Sequence, residues 1–178
     1  MRTTKRLTDG MVLDALLFAT EQHDGQVRRS TNLPYITHPI AVSYIVAQFK
    51  RSRHLSELVT AAILHDVLED TATSFADLTA RFTPLVASLV HELTSDATEI
   101  ARLGKLEYLK SKLVGMSNYA LVIKLADRLH NISDRPTSKM VADTLEILTH
   151  VQKARRLTAA QQRLAEQIVI ACGNARSR

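Results

Sequence analysis

The stretch AAILHDVLEDT, residues 61–71, decides how the rest of the chain is interpreted. Four small or aliphatic residues lead into a segment that is mostly polar or acidic. On a helix, His65 and Glu69 lie four residues apart on one face, and Asp66 and Asp70 lie four apart on the next. The apolar approach predicts that the segment starts in a core and delivers an imidazole and three carboxylates to the floor of a cleft.

Three carboxylates in a site of low dielectric repel one another unless a cation neutralises them. The stretch therefore predicts a bound metal ion. The alternative is a solvated helix end, which is what most runs of charge turn out to be. The stretch alone does not decide between the two, and the evidence for the metal comes from other parts of the chain.

The composition predicts a single helical domain. The chain has 178 residues, of which 46% are hydrophobic, and this is enough for one domain with its own core. Only five glycines and four prolines occur, which favours helices over strands. No convincing alternating pattern is visible. We predict an all-α fold, a bundle of about eight to ten helices in one domain spanning residues 1–178.

Apolar periodicity and capping residues give the approximate bounds of these helices. The predicted N-caps are Thr73 or Ser74, Thr83 and Ser117. Pro84 follows Thr83 and suits the first turn of the helix that Thr83 caps. Gly173 is predicted to end the last helix. The predicted helices cover about residues 10–23, 40–49, 54–69, 75–82, 84–93, 100–114, 118–131, 137–150 and 158–172.

Charge and cysteine content limit the class of partner and the compartment. Of the net charge of +5, residues 1–150 contribute nothing, with 17 basic and 17 acidic side chains, and the rest lies near the C-terminus. That basic segment has no interleaved aromatics, so we expect a solvated helix face rather than a nucleic-acid or membrane contact. The start lacks the apolar region of a secretion signal, no segment is long enough to span a membrane, and Cys172 is the single cysteine. We expect a cytoplasmic protein.

Two further segments carry candidate functional residues. Residues 26–39 read as a loop with the adjacent pair Arg28 and Arg29, closing on His38 just before a helix. Thr37 or His38 is the expected cap of that helix, with a proline in its first turn. Residues 121–131 again run from an apolar segment into a carboxylate, Asp127.

The candidate ligands are two imidazoles and two carboxylates, each predicted at the start or end of a helix: His38, His65, Asp66 and Asp127. This donor set suits a borderline divalent ion with room left for water. Mn²⁺ fits best by ligand type, and Zn²⁺, Fe²⁺ or Ni²⁺ can compete. The remaining histidines considered are expected on surfaces or in satisfied contacts: His91, His130 and His150.

A metal with open positions lowers the pKa of bound water and polarises a phosphoryl oxygen. Glu69 and Asp70 are placed to orient or deprotonate that water. Arg28 and Arg29 suit a phosphate or a planar base, and Asn131 suits a ribose or phosphate oxygen. Together these residues indicate metal-assisted hydrolysis of a phosphorylated nucleotide.

The same residues resemble a known family. The pattern of His38, His65-Asp66 and Asp127 resembles the HD-domain phosphohydrolases. Over about residues 10–150 the chain is similar to the hydrolase domain of the RelA/SpoT family. No synthetase or regulatory domain follows in this sequence, so the likeness is to small alarmone hydrolases of the metazoan SpoT homologue type. Four blocks carry the resemblance: HDGQVRR (23–29), PYITHP (34–39), AAILHDVLEDT (61–71) and KLADRLHN (124–131).

The resemblance implies Mn²⁺-dependent removal of the 3′-diphosphate of (p)ppGpp, giving GDP or GTP and pyrophosphate. It also implies a role for each matching residue. These are metal ligation by His38, His65, Asp66 and Asp127, water activation by Glu69 and Asp70, nucleotide contact by Asn131, and base or phosphate contact by Arg28 and by Arg29, which stands where the family usually has lysine.

Two alternatives stay open. One is an HD phosphatase that acts on another nucleotide, such as an adenine alarmone, NADPH or a nucleoside monophosphate. The other is a module that binds alarmone without hydrolysing it, although the presence of Glu69, Asp70 and all four ligands favours catalysis. The segment 132–138 is several residues shorter than in the long enzymes, where this region helps to hold the base. The sequence therefore does not fix the preference for one base.

Overall fold

The computed structural model describes residues 3–176, with side chains described for residues 10–175. Residues 1–2 and 177–178 of the predicted domain lie outside the described residues, and these include Arg178 of the basic segment. Regular structure in the described range is helical, apart from one isolated antiparallel bridge between Val27 and Pro34. The predicted all-α class is confirmed. The helices are α1 (Thr3–Gln22), α2 (Thr37–Phe49), α3 (Leu55–Ile63), α4 (Val67–Asp70), α5 (Phe75–Arg81), α6 (Pro84–Leu93), α7 (Ala97–Leu103), α8 (Lys105–Gly115), α9 (Asn118–Ser133), α10 (Ser138–Ala154) and α11 (Ala159–Arg176).

The chain forms two compact units, with the division after Thr94. The first unit contains α1 to α6 and the second contains α7 to α11.

In the first unit, α3 is the central helix and packs against α1, α2 and α6. It is short and strongly apolar, and Leu58, Ala61 and Ala62 are fully buried. Because its C-terminal end lies inside this core, the residues that follow it begin from a buried position. This is how the first unit places His65 away from water.

In the second unit, α9 packs against α10 and α11, and α10 packs against α8. The apolar run of α9 is buried on successive residues from Ala120 to Ile123, so the helix is covered on more than one face. Asp127 follows one turn later on the same helix and is also buried.

Arg155, part of the basic segment, has a structural role in the second unit. Its Nη1 donates to the carbonyl oxygens of Val114 and Met116, at 3.0 and 2.5 Å, at the C-terminal end of α8. Its Nη2 donates to Oδ1 of Asn118 at the start of α9. A cation at a helix C-terminus is favourable because the last carbonyls have no partner inside the helix.

The predicted caps are confirmed at three helices. Ser74 forms a reciprocal capping box with Asp77 at α5, Thr83 accepts from the peptide N–H of Val86 at α6, and Ser117 caps α9. At α2 the prediction is wrong, because Ile36 is the N-cap residue and makes no side-chain cap bond.

Two predicted helix bounds are also wrong, and both errors fall at a glycine. The predicted helix 100–114 is divided into α7 and α8 by Gly104, whose φ of 80° and ψ of 149° lie in a region that is almost closed to other residues. Gly173 does not end the last helix, since α11 continues to Arg176. The division at Gly104 and a second one, between α3 and α4, account for the eleven helices within residues 3–176, where about eight to ten are predicted.

Replacement of Gly104 by alanine should destabilise the protein by about 1–3 kcal/mol, because the cost comes from the backbone conformation alone. A Cβ at this position meets no atom within 4 Å. Gly173→Ala is the matched control: it is also open to solvent, but it lies in a helix and should be neutral or stabilising by up to about 1 kcal/mol. Urea unfolding of both variants measures the difference. Equal free energies of unfolding would contradict the assigned strain.

Candidate active site

The turn between α3 and α4 presents the first group of polar side chains. The predicted continuous helix over residues 54–69 is wrong, because α3 ends at Ile63 and α4 starts at Val67. His65 Nδ1 lies 2.7 Å from the carbonyl oxygen of Ala62. In a continuous helix that carbonyl accepts from the peptide N–H of Asp66, and here the imidazole takes it. His65 and Glu69 therefore do not share one face of a regular helix.

This bond also fixes the state of the His65 ring. A carbonyl oxygen only accepts, so Nδ1 carries a hydrogen, and in the neutral ring Nε2 then has the lone pair. Metal-ligating histidines commonly donate their other ring N–H to a backbone carbonyl in this way. His65 is 2% exposed, so the lone pair is held in a buried position.

The first unit brings three of the predicted ligands together. His38, the second residue of α2, is buried, and its ring centroid lies 5.1 Å from that of His65. Asp66, the N-cap residue of α4, has its Oδ2 at 3.0 Å from Nε2 of His65 and 3.7 Å from Nε2 of His38. One carboxylate oxygen thus faces two imidazole nitrogens, an arrangement of donors that fits a cation.

Asp127, in the second unit, is 6% exposed. The prediction that it stands at a helix end is wrong, because α9 continues to Ser133. Asn131, one turn later, donates to its Oδ1 at 2.5 Å, and Nζ of Lys124 lies 3.0 Å from its Oδ2. These contacts offset the cost of burying the carboxylate. Like His38 and His65, Asp127 is a buried residue whose side chain can ligate a metal ion.

The predicted water-activating pair lies on α4 and is exposed: Glu69 and Asp70. Loss of hydration at the carboxyl group of Asp70 raises its pKa above the ordinary value of 3.8, and the negative charges of Asp66 and Glu69 raise it further. A hydrogen bond with Tyr35 acts in the opposite direction. Asp70 is thus shifted toward the role of a proton acceptor.

The two predicted phosphate- or base-binding arginines differ in their surroundings. Arg28 is half-buried and its guanidinium lies 5.9 Å from the ring centroid of Tyr35, whereas Arg29 is exposed. The peptide N–H of Arg28 donates to the carbonyl of Leu33, which closes the loop next to the isolated bridge. Arg28 is therefore the more restrained of the two.

Three residues of the site are not among the sequence-predicted ones: His23, Gln26 and Tyr35. His23 is 3% exposed, and Tyr35 donates its hydroxyl to Oδ2 of Asp66 at 2.6 Å. All three lie in the blocks HDGQVRR and PYITHP, so a signal was present, but residue type and spacing alone did not indicate a function for them. His91 and His150, which are not predicted as ligands, are exposed.

Comparison with known proteins defines the class first. The profile of the HD domain matches residues 15–169, which is most of the chain and includes residues of both units. The chain therefore belongs to the HD-domain family.

The similar relatives narrow this class. The chain is 33% identical over 125 residues to the guanosine-3′,5′-bis(diphosphate) 3′-pyrophosphohydrolase MESH1 of Xenopus tropicalis, covering 70% of this chain and 69% of the relative. It is 36% identical over 151 residues to the bifunctional (p)ppGpp synthase/hydrolase SpoT of Escherichia coli K12. That match covers 75% of this chain but only 20% of the relative, so the chain spans about a fifth of the length of the bacterial protein.

A solved structure agrees with these relatives. It is that of a metazoan SpoT orthologue, described as hydrolysing ppGpp and acting in starvation responses. The TM-score is 0.74 at 27% identity, and the match covers 88% of this chain and 93% of the other. In the part of this chain that the structure describes, no helix has both the length and the hydropathy to cross a membrane.

Asp70→Asn should stabilise the metal-free protein at pH 7, because the ionised form is disfavoured in the folded state. The gain should shrink as the pH falls through the raised pKa of Asp70 toward 3.8, since the wild-type carboxyl group then becomes neutral as well. Urea unfolding at several pH values in the presence of a chelator measures this trend.

Asp77→Asn is a control of opposite sign. Its carboxyl group accepts from the side chain and backbone of Ser74, which lowers its pKa. Its stabilising contribution is present above pH 3.8 and is lost as the pH falls through the lowered pKa, so the substitution should destabilise at pH 7. Destabilisation by Asp70→Asn at pH 7 would contradict the assignment.

Proposed function

We propose that this protein is a metal-dependent hydrolase that removes the 3′-diphosphate of (p)ppGpp, giving GDP or GTP and pyrophosphate. The observation that carries the proposal is the group His38, His65 and Asp66, with the His65 tautomer fixed by the carbonyl of Ala62. The similarity to MESH1 and SpoT, which are named for this chemistry, supports the substrate.

We propose that His38, His65, Asp66 and Asp127 hold one divalent ion. Two neutral imidazoles and two carboxylates leave a divalent ion nearly neutralised, and Mn²⁺ suits such mixed nitrogen and oxygen donors. When bound, the ion supplies positive charge to a phosphoryl oxygen and to water. Neutralisation also relieves the repulsion between Asp66 and the carboxylates of α4.

The other predicted residues act on water and nucleotide. Glu69 or Asp70 accepts a proton from the attacking water, whose oxygen forms a bond to the phosphorus nearest the ribose. The bond between this phosphorus and O3′ breaks, O3′ takes up a proton to give the free 3′-hydroxyl, and the released pyrophosphate carries the oxygen of the water. Arg28 and Arg29 contact phosphate or base, and Asn131 contacts the nucleotide while it orients Asp127.

The remaining expectations belong to the same proposal. The partner is a small nucleotide rather than nucleic acid or membrane, the compartment is the cytoplasm, and residues 1–178 act as one domain. The bonds of Arg155 within the second unit support the first of these expectations, because they engage one of the basic C-terminal residues in holding that unit.

The deciding experiment is hydrolysis of ppGpp by metal-free protein to which Mn²⁺ is restored, in water enriched in ¹⁸O, followed by phosphorus NMR. We expect no turnover with a chelator, and GDP plus pyrophosphate with Mn²⁺, the label residing in pyrophosphate. Orthophosphate as the first product would exclude cleavage at O3′. Consumption of NADPH, an adenine alarmone or a monophosphate in place of ppGpp would change the substrate and keep the site.

Glu69→Gln should lower turnover by roughly two to four orders of magnitude, the usual scale for loss of a general base. Its Mn²⁺ content, measured by atomic emission, should match that of the wild type, because Glu69 is not a proposed ligand. Glu166→Gln, at an exposed position of α11, is the control and should change neither quantity. If Glu69→Gln and Asp70→Asn both retain full turnover, another group activates the water.

A further inference from the structure

Tyr35 lies next to the proposed metal site and has no part in the proposed mechanism. It follows the loop that the Val27–Pro34 bridge closes, two residues before α2 begins. Its hydroxyl donates to Oδ2 of Asp66 at 2.6 Å. This is the same oxygen that faces Nε2 of both His38 and His65. One tyrosine thus contacts the carboxylate oxygen at the centre of the first unit's ligand group.

The ring of Tyr35 is packed among other rings of the site. Its centroid is 4.9 Å from that of His23 and 5.8 Å from that of His38, and the guanidinium of Arg28 lies over it at 5.9 Å. His23 is 3% exposed. These neighbours restrict the ring, so its hydroxyl is presented to Asp66 in a restrained direction.

Gln26 connects this loop to the other end of α4. Its Nε2 donates to the carbonyl oxygen of Asp70 at 2.8 Å, which leaves its Oε1 to accept from Nδ1 of His23 at 2.9 Å. The backbone carbonyl of Gln26 accepts from the peptide N–H of Tyr35 at 2.9 Å. The loop therefore contacts α4 at both ends, through Tyr35 at Asp66 and through Gln26 at Asp70.

The His23 ring also has a definite state. Because the oxygen of Gln26 only accepts, Nδ1 of His23 donates, and Nε2 is left as a buried nitrogen with no hydrogen-bond partner. His23 thus packs against the ring of Tyr35 and holds the side chain of Gln26 through a hydrogen bond.

We propose that Tyr35 is a positioning residue for metal binding: its hydroxyl fixes the rotation of the Asp66 carboxylate, and the Gln26–His23 pair holds the loop that carries it. The inference rests on the proposed function in taking Asp66 as a ligand. Loss of this bond removes one of the contacts that restrict the Asp66 side chain, so ordering that side chain when an ion binds costs more conformational entropy. Groups that orient metal ligands typically change affinity or activity by about 10–100-fold.

The test uses the full chain and compares Tyr35→Phe with Tyr44→Phe. Both substitutions remove one hydroxyl and keep the aromatic ring, so the packing around Tyr35 is retained and the fold is not put at risk. Tyr44 is 64% exposed on α2, where its hydroxyl accepts from Nε2 of Gln48 at 3.1 Å. Mn²⁺ is titrated into each metal-free variant by calorimetry, the melting temperature is measured without metal, and kcat and KM are measured with ppGpp.

We expect Tyr35→Phe to bind Mn²⁺ about 10–100-fold more weakly than the wild type. Tyr44→Phe should bind it normally, and the metal-free melting temperatures of the two variants should be similar. At a fixed, subsaturating Mn²⁺ concentration kcat should fall while KM for ppGpp stays constant. An unchanged Mn²⁺ affinity overturns the inference. A raised KM with normal Mn²⁺ affinity would make Tyr35 a substrate-binding residue instead.

Failure of the proposed function gives a different pattern. If the wild type binds Mn²⁺ but leaves ppGpp intact, the substrate is wrong, and the calorimetric comparison still decides the role of Tyr35. If the wild type binds no Mn²⁺, both the proposed metal site and the inference are overturned. A large fall in melting temperature in Tyr35→Phe alone, with Mn²⁺ affinity lost in proportion, would assign Tyr35 to stability rather than to positioning.

Discussion

The contact between the His65 ring and the carbonyl oxygen of Ala62 is the constraint on which the site depends. It uses a carbonyl at the C-terminal end of α3, and the chain turns there instead of continuing as a helix. It also defines which nitrogen of His65 is available. One hydrogen bond of 2.7 Å therefore sets both the path of the backbone and the chemistry of the side chain. The packing of α3 against three neighbouring helices keeps this contact buried.

Several polar groups surround the carboxylate of Asp66. His38 and His65 face its Oδ2, and Tyr35 donates to the same atom. The carboxylates of α4 add further negative charge. Partial burial raises the pKa of Asp70, and the negative charges of Asp66 and Glu69 raise it further. A site with this imbalance favours the binding of a divalent ion.

Residue types predicted the burial of the candidate ligands better than they predicted the backbone. Apolar runs ending in carboxylates indicated His65, Asp66 and Asp127 correctly as buried or half-buried groups. The division of the predicted helix 54–69 was not predictable, because periodicity does not show a side chain taking a backbone carbonyl. Gly104 and Gly173 show the same limit, since a glycine is compatible with either a break or a helix, and tertiary packing selects between them. Tyr35 was not predicted because the sequence does not show which atom its hydroxyl contacts, and in the structure that atom belongs to Asp66.

The shortness of α4 links the order of the backbone to occupancy of the site. A helix of four residues has too few internal hydrogen bonds to persist alone, and the N–H groups of its last two residues, Glu69 and Asp70, donate to the carbonyl of Asp66. Its persistence therefore relies on contacts made from outside, by Gln26 at its end and by whatever binds Asp66 at its start. An ion that binds only the ordered form lowers the population of locally opened chains by mass action. If Asp66 ligates an ion as proposed, the availability of that ion sets how often this turn of the protein opens.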